Sequence, residues 1–283
     1  MAELHTLLTG LGLVESPRWH DGRLWFSNWL AGEIIAVDLD GKSEVITRVP
    51  SFPCCIDWLP DGRLLVVSGR EGRLLRREPD GSLVTHTDLS HLSHFPWNEI
   101  DVDGRGNIYL NCINFAFPVG AFAPGIIAVV TPNGSVRQVA EDVAFPNGMA
   151  VTPDNRTLIV AESYANQLTA FDIAADGSLA DRRVWAEVGN DHPDGICLDA
   201  EGAVWYADVG TKRCVRVREG GEVLQTIELD RGCFACELGG EDGRALFMLA
   251  ASFDPATGFV GQQTGQVVMA EAPAPGAGWR RPK

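Results

Sequence analysis

One pattern recurs six times along the chain and limits what it can fold into. A polar or small residue opens a short apolar strand. A turn containing Gly or Asn follows, and then a second apolar strand. The units read ESPRWHDGRLWFSN, PCCIDWLPDGRLLVVSG, WNEIDVDGRGNIYLN, PNGMAVTPDNRTLIVAES, PDGICLDAEGAVWYAD and CELGGEDGRALFMLAA. Their turn anchors fall at Gly22, Gly62, Gly106, Asn155, Gly202 and Gly243, so successive anchors lie 40, 44, 49, 47 and 41 residues apart. That is the length of one four-stranded propeller blade.

The remainder of each unit supplies a third strand, as in GEIIAVDLDGK, GRLLRREPDGS, GIIAVVTPNGS and NQLTAFDIAADGS. Each ends in Asp-Gly or Asn-Gly, residues that tolerate positive φ and turn the chain into a fourth strand. No stretch reads as a long amphipathic helix. The expected fold is therefore all-β, a six-bladed β-propeller of four-stranded antiparallel blades, with residues 1–283 forming one domain. ELHTLLTG, near the N-terminus, has no unit of its own and is expected to add a strand to the sixth blade, locking last to first. Residues 271–283, rich in Pro and Gly, are expected to form a loose tail.

Composition narrows the function classes. Hydrophobic residues make up 45% of the 283 and charged residues 22%, a globular balance. The formal net charge of −15 argues against nucleic acid and anionic membranes as partners, because both need a positive surface. No apolar run reaches the length of a membrane span, and the N-terminus lacks a signal-peptide pattern. Seven cysteines without framework spacing suit reduced thiols. The expectation is a cytoplasmic protein, a monomer or weak homo-oligomer, acting on a small molecule.

In a propeller the first strand of every blade lines the central channel. Counting back seven or eight residues from each anchor reaches the start of that strand, at Glu15, Cys55, Asn98, Asn147, Asp194 and Cys236. Four of these carry oxygen donors and two are carboxylates. Pro-Asn-Gly and Pro-Asp-Gly are ordinary turn sequences, and TPNGSV reads as such a turn. The register instead puts Asn147 and Asp194 at the channel mouth. Carboxylate and amide oxygens converging there would repel or stay unsatisfied if buried bare. A divalent cation cures both problems. An all-oxygen set favours calcium first, with magnesium, manganese or zinc as further candidates.

These residues also carry a resemblance. LVESPRW, FPNGMAVTPDNRTLIVAES and HPDGICLDAEGAVWYAD resemble the segments that characterise the SMP-30/gluconolactonase/luciferin-regenerating family, from about Leu13 to Asp208. That resemblance implies a six-bladed propeller holding one divalent metal on Glu15, Asn147 and Asp194. It implies Asp194 as general base, Asn98 as a substrate-orienting residue, and opening of a lactone or related ester. Two departures stand out. Ser16 replaces the family's Gly after the Glu, and Pro96 stands where sugar-lactone members carry an Arg.

The segment NCINFAFPVGAFAPG, residues 111–125, is apolar and uncharged, and reads as a lid over the channel mouth. Trp97, Phe115, Phe117 and Phe122 are expected to make the substrate less polar than gluconolactone. His94 and His192 adjoin the site motifs, with His192 taken as a substrate contact. Cys233-x-x-Cys236 lacks a second pair at zinc spacing and reads as small buried thiols. No Gly-x-Ser-x-Gly elbow occurs. Two other readings share the ring: metal-assisted elimination or isomerisation beside a carbonyl, and a non-catalytic propeller serving as a binding scaffold.

Overall fold

The structure is a computed structural model that describes residues 3–253 and 263–277. It contains six four-stranded antiparallel sheets. Five blades each take four consecutive strands. Their channel strands are Val14–His20, Ile56–Trp58, Trp97–Val102, Pro146–Val151 and Pro193–Leu198. The sixth blade starts with Gly232–Gly239 and ends with a strand from the other end of the chain. His5–Leu11 pairs antiparallel with Gly265–Glu271 and closes the ring, as the sequence suggests. Among the described residues no helix is long and apolar enough to cross a membrane.

The core is divided into wedges between neighbouring blades. Val14, Phe26, Ala235 and Phe247 pack between blades six and one. Trp25, Ile34, Ile56 and Val66 fill the next wedge, and similar clusters follow around the ring. Both faces of a blade are therefore apolar, which is why the inner strands read as near-continuous hydrophobic runs rather than alternating ones. Outer strands such as Ser43–Arg48 and Val223–Glu228 are half exposed and polar.

Buried carboxylates stitch the channel strands together. Asp57 accepts hydrogen bonds from the Trp58 amide at 2.8 Å and the Val102 amide at 2.7 Å, tying blade two to blade three. Asp101 accepts from the Val151 amide at 2.5 Å, tying blade three to blade four. Each satisfies a main-chain donor that would otherwise be buried unpaired.

The tail departs from expectation. Residues 271–277 run from the last strand of blade six onto blade five: Ala272 N donates to Arg244 O at 2.8 Å and Gly276 N to Gly243 O at 2.9 Å in blade six, while Ala200 N donates to Pro275 O at 2.7 Å and Ala277 N to Leu198 O at 2.8 Å in blade five. Ala272 and Ala274 are buried. The extended Pro-rich backbone supplies partners to the free edge of a turn, so this part is not loose. The rest of the expected tail, residues 278–283, lies outside the described residues.

Candidate metal and substrate site

The site begins with an irregularity that the repeat does not reveal. In five blades the channel strand carries a β-bulge near its start. Pairing runs Trp97 to Cys112 and then Ile100 to Leu110, so three steps on one strand match two on the other. The same slip follows Pro146, Pro193, Glu15 and Cys233. A bulge re-aims the side chains it contains. Here it brings Glu15, Asn98, Asn147 and Asp194 to equivalent places around the axis. Blade two is regular at this point, and its residue there is Cys55.

The sixth position needs correcting. Cys233, not Cys236, occupies the place equivalent to Asn147. The hairpin of blade six is longer, with Gly239 pairing to Ala245, so the count back from Gly243 falls three residues late. Cys236 points instead into the wedge between blades five and six. Its Sγ lies 3.8 Å from that of Cys197, and Cys214 and Cys233 share the cluster. Burial raises the thiol pKa of all four, which suits inert packing groups.

The glycines after Asn147 and Asp194 explain why these motifs look like turns. Neither has positive φ. A Cβ on Gly148 would meet Ile196 N at 2.5 Å and Asp194 O at 2.6 Å, and one on Gly195 would meet the Ala235 Cβ at 2.6 Å. Their role is close approach of neighbouring channel strands. Ser16 replaces such a glycine in blade one at φ 53°, and its Oγ accepts from the Ile56 amide at 3.0 Å. The other Asn-Gly is a true turn: Gly134, φ 83°, lies between outer strands and donates to Thr131 O at 2.8 Å.

Charge dominates the centre. Burial pushes the Glu15 carboxyl well above the ordinary carboxylate range, and the charges of Asp194 and Glu99 push it further. Asp194 is raised by burial and by Glu99, while hydrogen bonds from the Asn147 side chain and the Gly195 amide pull the other way. Among the described residues the Glu15 carboxylate accepts only from the adjoining Ser16 amide, at 3.1 Å. Arg18, one step further along the channel, is largely committed elsewhere. It donates to Pro17 O at 2.8 Å and Ile100 O at 2.6 Å and lies 3.5 Å from Glu99. Burial opposes its charge, but Asp57, Glu99, Asp101 and Glu237 outweigh that effect and raise its pKa.

A buried carboxylate, Glu15, and a half-buried carboxylate and amide, Asp194 and Asn147, short of donors and with the two acids mutually repelling, form a hard oxygen set suited to a divalent cation. Glu15, Asn147 and Asp194 would hold it. Beside them the Asn98 side chain makes no hydrogen bond among the described residues.

Support comes from residues that the sequence reading missed. Ser163 Oγ donates to Pro193 O at 2.8 Å and lies 3.4 Å from Asn147 Nδ2, linking the two site strands. Asn111 Nδ2 donates to Asn147 O at 2.7 Å. Glu162 pairs opposite Pro146 and accepts from the Ala144 amide at 2.6 Å and from Arg182 at 2.9 and 3.1 Å. None has a local signature, since each acts through a neighbouring strand.

The expected substrate contacts divide. Phe115, Phe117 and Phe122 meet in one aromatic cluster, joined by Phe145 and Tyr164 of blade four. His192 is exposed beside the site, its Nδ1 2.8 Å from Ser163 O and 3.2 Å from Asn166 Nδ2. His94 is exposed. Trp97 is a correction: it is fully buried in the wedge between blades two and three, where it packs rather than meets a ligand. Its alternation with Asn98 along the strand turns it away from the channel.

The opposite mouth of the channel opens into a cavity of about 880 Å³, lined by Arg18, Trp58, Asp101, Met149, Ile196 and Glu237 among others. Arg18 therefore stands between this acidic bowl and the ring of Glu15, Asn147 and Asp194.

Comparison with known proteins agrees with this architecture. The 6-deoxy-6-sulfogluconolactonase of Pseudomonas putida is 24% identical, over 84% of this chain and 83% of that protein. The diisopropyl-fluorophosphatase of Loligo vulgaris is 27% identical over 64% of each. The crystal structure of a calcium-binding protein, regucalcin, from Agrobacterium tumefaciens superposes with a TM-score of 0.81 at 22% identity, covering 98% of this chain and 95% of that one. Residues 13–252 match the SMP-30/Gluconolactonase/LRE-like region. The chain belongs to the SMP-30/gluconolactonase/LRE-like family, whose named members include lactonases and other hydrolases.

Proposed function

We propose that the protein is a divalent-metal-dependent hydrolase that opens a lactone or related ester less polar than a sugar lactone. The observation that carries this reading is the grouping of Glu15, buried, with Asn147 and Asp194, half-buried, on bulged channel strands as one under-compensated oxygen set. The names of the relatives support the hydrolase class, and calcium is the ion named for the regucalcin structure.

A bound divalent cation would supply the positive charge that polarises the carbonyl and stabilises the oxyanion. The chain's own residues do the rest. Asn98, with its carboxamide uncommitted, orients the carbonyl oxygen. Asp194 accepts a proton from the attacking water, whose oxygen bonds to the carbonyl carbon. The ring C–O bond then breaks, and the proton passes from Asp194 to the departing alkoxide. The product is a hydroxy acid, which ionises and releases one proton. A positioned general base contributes about 10²–10⁴ in rate.

The test has two arms. Elemental analysis of gently purified protein should find a divalent metal near one per chain. Proton release from a panel of lactones should then show turnover. Metal without lactone opening would move the assignment to another metal-assisted reaction, and absence of metal would remove the ring from the mechanism.

A further inference from the structure

We propose that five aromatic rings from blades three and four form a subsite for an alkyl or aryl substituent on the substrate, with Phe122, Phe145 and Tyr164 setting specificity. This rests on the reading of the neighbouring ring as a lactone- or ester-opening site.

Phe115 is the hub, 5% exposed, with ring centroids 5.7 Å from Phe122, 5.8 Å from Phe145 and 6.3 Å from Tyr164. Phe145 and Tyr164 lie 4.6 Å apart at 31°. The outer rings are left partly in water: Phe117 is 49%, Phe122 51% and Tyr164 47% exposed. No charged residue occurs from Asn111 to Gly125. Rings that packed only to hold a loop would gain by covering one another. A shared half-exposed apolar face is instead what a ligand would cover.

The cluster is continuous with the candidate site. Phe145 stands two residues before Asn147, and Tyr164 follows Ser163, which touches both site strands. Ser163 N donates to Phe145 O and Tyr164 N to Ala144 O, each at 3.1 Å, so both rings hang from a fixed backbone. Phe145 also sits at φ 60°, a left-handed conformation rare for a bulky residue. Strain of that kind persists where the surroundings over-determine it, as at ligand sites.

The chemistry follows. A hydrocarbon substituent pointing from the carbonyl toward blades three and four replaces water on these rings, worth about fourfold in affinity per buried methylene. A polyhydroxylated chain would leave its hydroxyls unpaired there and be rejected.

Binding and turnover are measured separately. Cyclopentanone and 2-hexylcyclopentanone present the ring carbonyl without a bond to hydrolyse, and calorimetry on the metal-loaded protein gives their affinities. The hexyl ketone should bind at least about fiftyfold more tightly, given the fourfold step per methylene. Phe122→Ala, Tyr164→Ala and Phe145→Leu should each cut that preference by about fivefold or more, leaving cyclopentanone unchanged. For γ-decalactone the same variants should raise KM and spare kcat, the mark of uniform binding. Tyr164→Phe should behave as wild type. Equal affinity of the two ketones, or equal loss for both in the variants, overturns the subsite. A ketone preference without opening of any lactone leaves the subsite standing and removes the hydrolytic reading. Opening of γ-butyrolactone with equal ketone affinities does the reverse.

Discussion

Gly148 and Asp194 belong to neighbouring blades, and their backbones touch: a Cβ added to Gly148 would stand 2.6 Å from the Asp194 carbonyl oxygen. The glycine after one candidate ligand thus sets how near the strand carrying another can come. Gly148→Ala should force the two strands apart, costing about 1–3 kcal/mol by overpacking, and should weaken metal binding as well. Gly134→Ala, at the true turn, has open space but positive φ. It should lower stability by a similar or smaller amount and leave metal binding intact. Denaturant melts and metal titrations on the two variants check this. Equal metal affinity in both would dissociate Gly148 from the site.

Ligand and orienting residue are separable. Glu15→Gln, Asn147→Ala and Asp194→Asn each remove a charge or an oxygen from one ion and should lower metal affinity. Wild-type protein at calcium about a hundredfold above its Kd should gain about 2.7 kcal/mol of stability, and the three variants less. Asn98→Ala should keep most of the metal yet turn over more slowly, because the carbonyl loses its alignment. Thermal melts with and without calcium, alongside steady-state rates, distinguish the two classes. Loss of metal in Asn98→Ala would make it a fourth ligand.

Glu162, which braces the site strand without being a candidate ligand, gives a pH signature of its own. Burial alone would raise its pKa, but hydrogen bonds from Thr169 and the Ala144 amide, with the Arg182 charge, outweigh it and hold the carboxyl low. A depressed folded-state pKa contributes stability above the unfolded value, about 4.3 for glutamate, and that stability is lost as pH falls through the folded value. Glu162→Gln should cost about 1–3 kcal/mol near neutrality. It should also flatten the loss of stability below pH 4. Stability curves from pH 7 to pH 2 compare the two proteins, and parallel curves would show that Glu162 carries no net pairing energy.

The fold was legible because its unit repeats. Six hairpins with turn residues at fixed offsets leave little but a ring of blades, and the register put Glu15, Asn98, Asn147 and Asp194 at the equivalent strand starts that the pairing gives them. It failed at Cys236, where a longer hairpin shifted the count to what is a wedge-packing thiol. Bulges add a residue without a sequence mark, so five of them stayed invisible. Trp97 was misread because an aromatic beside a site residue points to the opposite face of its strand. Phe145 and Tyr164 were missed for a different reason. Their partner Phe115 lies 30 residues or more away in another blade, and only the packing of blade three against blade four brings them together.

The most direct test of the whole account is proton release from γ-decalactone by purified protein before chelation, after removal of metal, and after calcium is restored. Turnover should disappear with the metal and return with calcium in the wild type, and calcium should fail to restore it in Glu15→Gln. Turnover that survives metal removal, or a fully calcium-loaded protein that opens no lactone, would contradict the account.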